Sequence, residues 1–403
     1  MKTHEEIKRF LNPKTIAIVG ASNNPNKVGG ILINKLKDFK GKIIPINLKE
    51  KKVGKLKAYS SIKKYKKDID LVIIATPAKT TPKILKQCAK KKIKNAIIIS
   101  SGFAEEKNTK LTKKLEKIIQ KKNLNILGPN CFGIFNSSIN LDATFSKTTP
   151  KKGNVAFISQ SGALWSYIAD LNKIDFSGFV SLGNMMDLEF CDFLEYYIKD
   201  KKTKKIICYI EKLKDGKKFI ELCKNSKKEI IVVKSGRTEK GKKVAISHTA
   251  SIATDFEIYK TAFRQAKVKI KNSLAEALDL KKENFEKFLT QKELTIITNA
   301  GGAGALLTDE LTEKGFHINK IIDVLGTAKA ENYKRILKKI KIGEQIILIV
   351  TPQSMTPINE IAKIIISSVH RGHIIAFFLG EKSMKESVEK LKQKNIPVFT
   401  RGI

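Results

Sequence analysis

The chain has 403 residues, of which 42% are hydrophobic, and a formal net charge of +39. That length predicts two or three domains of about 150 residues, each large enough to bury its own core. No apolar run approaches the ~20 residues of a membrane span, and "MKTHEEIKRF" has no apolar signal region, so a cytoplasmic protein with no membrane role is expected. The charge does not point to nucleic acid: only six of the 78 basic residues are arginine, and the lysines run along the whole chain. Nucleic-acid sites concentrate arginine and interleave aromatics. A solvated lysine surface that draws anionic ligands is the expectation.

The first unit contains the apolar runs "TIAIVG" (15–20), "KIIPIN" (42–47), "LVIIAT" (71–76), "NAIIIS" (95–100) and "LNILG" (124–128). Amphipathic stretches such as "TPKILKQCAKKK" separate them. β-Branched runs with helical crossovers are the pattern of buried parallel strands. Residues 1–147 are therefore read as one doubly wound α/β domain. Its first strand ends in "VGASNNPNKVGG". A glycine turn at a strand's carboxyl end presents backbone N–H groups to phosphate at a helix N-terminus.

This is not the dinucleotide fingerprint. Ala21 and Ser22 follow Gly20, and the second strand ends in Asn47 where a ribose-binding acid would stand, so NAD is disfavoured. Lys27 can meet a phosphate as a point charge, although chance placement competes in a chain with 72 lysines. The loops "ATPAKT", "SSGFAEE" and "GPNCFG" end the other strands. Together they suit an extended anionic ligand. Five scattered cysteines with no CxxC pair argue against zinc or a disulfide framework, and Cys131 alone lies in a loop with chemical promise.

The linker "SKTTPKKG" leads to a second α/β unit, residues 148–285, and a charged stretch leads to a third, residues 290–403. Three doubly wound parallel-sheet domains are expected. "FISQSGALW" and "IITNAGGAGALL" share one design, a strand, then a serine- or glycine-rich turn, then a helix. Two such helix ends that converge can hold a doubly charged phosphate. In "VAISHTAS", His248 stands between Ser247 and Thr249, after the glycine- and lysine-rich "KSGRTEKGKK". Glu211 closes the strand of "CYIEKLKDG". A carboxylate bonded to one imidazole nitrogen fixes the tautomer and frees the other nitrogen as nucleophile. The competing reading of Glu211 is a surface glutamate before a turn. "HRGH" (370–373) has no third metal ligand nearby, and no G-x-S-x-G elbow exists. No metal site is expected.

The motifs "IVGASNNPNKVG", "PNCFGI", "ISQSGAL", "YIEKLKDGKKF", "KSGRTEKGKKVAISHTAS", "TNAGGAG" and "TPQSMT" occur in that order across nearly the whole chain. They resemble the α subunit of the ADP-forming acetyl-CoA or acyl-CoA synthetases, relatives of succinyl-CoA synthetase. The resemblance implies a Rossmann-like CoA-binding domain followed by two flavodoxin-like domains of the succinyl-CoA synthetase type. It implies His248 as a phosphohistidine oriented by Glu211. Ser161 and Gly162 would open one phosphate-holding helix, and Gly302 and Ala303 the other. Gly20, Ser22, Lys27, Pro77 and Asn130 would face coenzyme A.

The resemblance also implies acyl-CoA, phosphate and ADP as substrates. A separate ATP-grasp β subunit would hold ADP or ATP with Mg²⁺, in a hetero-oligomer such as α2β2. The histidine loop would move between stations. The chain departs from the family pattern at Ala250, at Ala303 and before "DVLG", and its third domain is shortened there. A non-catalytic CoA-binding regulatory or scaffold protein is the alternative.

Overall fold

The computed structural model describes residues 2–249 and 255–403, with the side chains of 245–249 outside the description. Three five-stranded parallel arrays form along the chain, as the alternating β-branched runs require. The first joins Thr15–Val19, Lys42–Ile46, Leu71–Ile74, Asn95–Ile98 and Asn125–Leu127. The second joins Lys152–Ser159, Phe176–Ser181, Lys205–Ile210, Glu229–Lys234 and Lys269–Lys271. The third joins Glu293–Thr298, His317–Asp323, Gln345–Val350, Ile374–Phe378 and Val398–Phe399.

Numbered by sequence within each array, the spatial order is 2-1-3-4-5 all three times. In such a sheet the connections leave strands 1 and 3 toward opposite faces, which opens a crevice at their carboxyl ends. The central strands are buried throughout, as in Leu71–Ile74 and Gln345–Val350. Burial on both faces explains why they lack polar alternation.

Sheet membership differs from the expected division after residue 147. Gly133–Asn136 and Leu141–Thr144 form an antiparallel hairpin that extends the second sheet by pairing with Phe176–Ser181. The positions of both strands are all buried, so neither shows the polar alternation that betrays an antiparallel pair. The edge strand His317–Asp323 was also not expected. Only one of its seven residues is fully buried, which leaves little apolar signal.

The units are tied by polar contacts as well as packing. Lys35 of the first unit pairs with Asp142 of the hairpin at 3.0 Å. Asp170, fully buried, accepts the Thr148 hydroxyl at 2.7 Å and the Ser383 amide at 3.0 Å, joining linker and third unit to the second.

Cys131 does not fulfil its chemical promise, for all five thiols are buried. Burial pushes Cys88, Cys131 and Cys223 up to about 12 and holds Cys191 and Cys208 higher than usual. The thiolate is the reactive form. At pH 8 a colorimetric thiol reagent should therefore leave the native chain unmodified and titrate five groups after denaturation. Prompt reaction of any thiol in the native state would contradict this burial.

Candidate functional site

The expected ligand-facing residues of the first unit gather at its switch point. Gly20 follows strand 1 with φ +94°, and a Cβ there would lie 2.6 Å from the Ala75 carbonyl oxygen after strand 3. The glycine is required by both the left-handed backbone and the close approach. Ser22 is buried and its hydroxyl accepts the Asn24 amide at 3.1 Å. Lys27 is exposed and forms the N-cap of the helix Val28–Lys35 without a side-chain cap bond. Pro77 is exposed at the next strand end and starts the turn Ala78–Thr80. Asn47, in the place of a ribose-binding acid, instead donates to the Ala21 carbonyl at 2.7 Å and braces the glycine loop.

A chain of contacts continues from that crevice into the second unit. Ser100 donates its hydroxyl to the Thr76 carbonyl at 2.5 Å, and the Asn130 amide donates to the Ser100 carbonyl at 2.9 Å. Asn130 holds φ +55° after the cis Gly128–Pro129 bond, and its side chain donates to Asn184 at 3.3 Å. Two residues on, the Phe132 amide donates to the Ser181 hydroxyl at 2.8 Å. Ser181 pairs in register with Ser159, which opens the turn Ser159-Gln160-Ser161-Gly162. The loops from Gly20 to Gly162 are thus linked by contacts into one continuous edge. An exposed cation at a helix start and a glycine cradle at the crevice fit the phosphates of coenzyme A.

At the second switch point strand 1 ends in Ser159 and strand 3 in Ile210, followed by Glu211. Glu211 is only 5% exposed, so the surface-glutamate reading fails. Gln160 fixes the turn after it, since Gln160 Oε1 accepts the amides of Glu211 at 2.7 Å and Lys212 at 2.8 Å. The sequence reading missed Gln160. Its only signal was its place inside the serine turn. Tyr209, fully buried, was also missed; its hydroxyl donates to Ser235 at 2.9 Å and lies 3.3 Å from the Gly302 carbonyl.

The two helix starts meet. The helix Ala163–Leu171 begins after its N-cap Gly162, and the helix Gly301–Glu313 begins at the third switch point. A Cβ on Gly302 would stand 2.6 Å from both Cβ and Oγ of Ser161, so only glycine allows this approach. Ala303 is fully buried in the same first turn. The Ser161 hydroxyl is buried, and it has no hydrogen-bond partner among the described residues. Behind them, at the third switch point, the Asn299 side chain and backbone bind Thr351 and Gln353 of "TPQSMT".

His248 belongs to the last turn of the helix Glu239–Thr249, not to a loop as expected, and its side chain lies outside the described residues, as does Ala250. The start of that helix packs on the middle of Gly301–Glu313, where Gly241 lies against Asp309. On either side of Gly241, Lys240, Lys243 and Val244 line a cavity of about 200 Å³ together with Thr298 and Gly301. The helix Glu239–Thr249 thus packs against the helix Gly301–Glu313, with Val244 and Gly301 on one cavity.

Charged groups sit beneath this junction. Lys234 ends strand 4 of the second sheet at 3% exposure, its ammonium 5.0 Å from the Tyr259 ring centre. Burial pushes it down to about 8, against the pull of Asp309 and Glu211. In "HRGH", His370 is buried and its Nε2 bonds to the Leu337 carbonyl, so it is a packing residue of the third unit. No cluster of metal-ligating side chains occurs among the described residues.

Comparison with known proteins agrees with this geometry. Residues 14–137 match the family model of a CoA binding domain, and residues 152–282 that of the succinyl-CoA ligase like flavodoxin domain. The acetate–CoA ligase (ADP-forming) II subunit alpha of Pyrococcus furiosus is 36% identical over 97% of this chain and 94% of its own length. An ADP-forming acetate–CoA ligase of Methanocaldococcus jannaschii is 45% identical over 76% of this chain and 44% of its own length. The dinucleotide forming acetyl-coenzyme A synthetase 1 of Ca. Korarchaeum cryptofilum, solved in complex with phosphate and ADP, superposes with a TM-score of 0.64 at 30% identity, covering 98% of this chain and 93% of that one. By its sequence along nearly its full length, and by its fold, the chain belongs to the family of ADP-forming acetate–CoA ligase α subunits.

Proposed function

We propose that the chain is the catalytic α subunit of an ADP-forming acyl-CoA synthetase, converting acyl-CoA, phosphate and ADP to free acid, CoA and ATP. The observation that carries the reading is the meeting of two helix N-termini at Ser161 and Gly302, with the helix that bears His248 packed against the second of them. The N-terminal end of each helix carries about half a positive charge. Two such ends and the Ser161 hydroxyl, without a partner among the described residues, suit a phosphate dianion.

Acyl-CoA would lie along the edge from Gly20, Ser22, Lys27 and Pro77 past Asn130, with its thioester at the Ser161 turn. A phosphate oxygen attacks the thioester carbonyl, the C–S bond breaks, and CoA leaves as thiolate. The helix ends stabilise the charge that develops on the acyl phosphate without needing to reorganise. His248 then attacks phosphorus in line, the P–O bond to the acyl group breaks, and the free acid departs with that electron pair. Glu211, held by Gln160, would accept the other imidazole N–H and keep the attacking nitrogen unprotonated. Transfer of this kind depends on positioning and electrostatics more than on covalent chemistry.

The phosphohistidine passes its phosphoryl group to ADP on an ATP-grasp β subunit, the expected partner, in an α2β2-type assembly. Mg²⁺ held there with the nucleotide would neutralise the charge of the transferring group.

Incubating the chain and its partner with acetyl-CoA and labelled phosphate should place an acid-labile, alkali-stable label on the wild type and none on His248→Ala. Glu211→Gln should slow labelling by roughly 100-fold. Binding of CoA with no label on the wild type would overturn the reading in favour of a non-catalytic CoA-binding protein. Gly302→Ala places a methyl group 2.6 Å from the Ser161 side chain and must push the helix starts apart. It should lower kcat by about tenfold or more while CoA binding stays unchanged. Wild-type turnover in that variant would show that the helix junction does not hold the phosphate.

A further inference from the structure

We infer that Asp309, on the third unit, is the positioning residue that sets the direction of the histidine helix, an inference that rests on the phosphoryl-carrier reading above. Asp309 is fully buried in the helix Gly301–Glu313. Its Oδ2 accepts the Gly236 amide at 2.7 Å. Its Oδ1 accepts the Thr238 amide at 2.8 Å and the Thr238 hydroxyl at 2.9 Å. The same hydroxyl oxygen accepts the Gly241 amide at 3.0 Å, which caps the first turn of the helix Glu239–Thr249. Three donors thus converge on one carboxylate, which in turn faces the positive end of the histidine helix.

Neighbouring contacts close the clamp. A Cβ on Gly241 would lie 1.9 Å from Asp309 Oδ1, so the helix rests directly on the carboxylate. One turn after Asp309, Glu313 receives Arg237 Nε at 2.8 Å and Nη2 at 3.1 Å. Arg237 Nη1 donates to the Lys234 and Asn272 carbonyls, each at 3.2 Å. Residues 236–238 are therefore pinned between the second sheet and the third unit.

The lever arm makes this base consequential. With a rise of 1.5 Å per residue, the His248 backbone lies about 14 Å along the axis from Glu239, and a tilt of about 10° at the base moves it by roughly 2 Å. A misplacement of about 1 Å can cost a hundredfold in a step that depends on alignment. An asparagine at 309 would keep the shape, but its amide would face the Gly236 N–H donor to donor. A valine at 238 would keep the shape and remove the hydroxyl that links carboxylate to helix cap.

The test is the rate of His248 labelling from acetyl-CoA and phosphate in the α–partner complex, with KM for acetyl-CoA measured alongside. Asp309→Asn and Thr238→Val should each slow labelling by about tenfold or more, with KM within about twofold of wild type. Thr238→Ser, which keeps the hydroxyl, should label at the wild-type rate. Wild-type labelling rates in Thr238→Val and in any folded Asp309→Asn protein would overturn the inference while leaving the carrier reading intact. A wild type that carries no label on His248 removes the carrier reading and this inference together.

Discussion

Two helix N-termini can act together on one small anion only if their first turns lie close to each other, and the close approach of Gly302 and Ser161 is where that happens. Backbone N–H groups at a helix start have no partners within the helix. Bringing two such starts together concentrates positive potential in a small region beside buried side chains, where it is worth more than at the surface. Apart from Lys234, Lys240 and Lys243 nearby, the +39 net charge has no comparable effect at this point, because lysines spread over a solvated surface are screened within about 8–10 Å at physiological salt. The junction also explains the residues around it. Tyr209 spans from Ser235 to Gly302, and Gln160 holds the turn that carries Glu211.

Repetition of one topology supplies the framework. Each of the three sheets has the order 2-1-3-4-5 and hence one crevice at the carboxyl ends of its first and third strands. The glycine loop, the serine turn and the glycine helix occupy those three crevices in turn. The antiparallel hairpin Gly133–Thr144 matters here because it joins the first two. It leaves the first unit after Asn130 and pairs into the second sheet beside Ser181, so the ligand-facing edges of both units become continuous.

Much of this was legible in the sequence. Buried parallel strands announce themselves as β-branched runs, and the turns that open helices carry glycine or serine because nothing larger fits. The family resemblance came from seven such segments in order, and relatives aligned over nearly the full chain bear it out. Less legible were the residues that act through geometry. Gln160, Tyr209 and Asp309 look ordinary in sequence: one sits inside a turn, one inside a strand, and one in the middle of a helix. Their importance comes from partners 51, 93 and 73 residues away. The hairpin and the strand His317–Asp323 escaped for a related reason, since one is buried on both faces and the other is mostly exposed, with its isoleucines interrupted by polar residues.

The sequence by itself determined the fold class, the three-unit plan and the short segments proposed to carry the chemistry, because strand burial, glycine turns and helix starts are local constraints written in neighbouring residues. Only the tertiary structure decided that the two helix ends converge, that Glu211 is buried rather than exposed, and that His248 rides on a helix based at Asp309. Those outcomes depend on how three separately readable sheets pack against one another. That packing is fixed by side chains in contact across sequence separations no local pattern records.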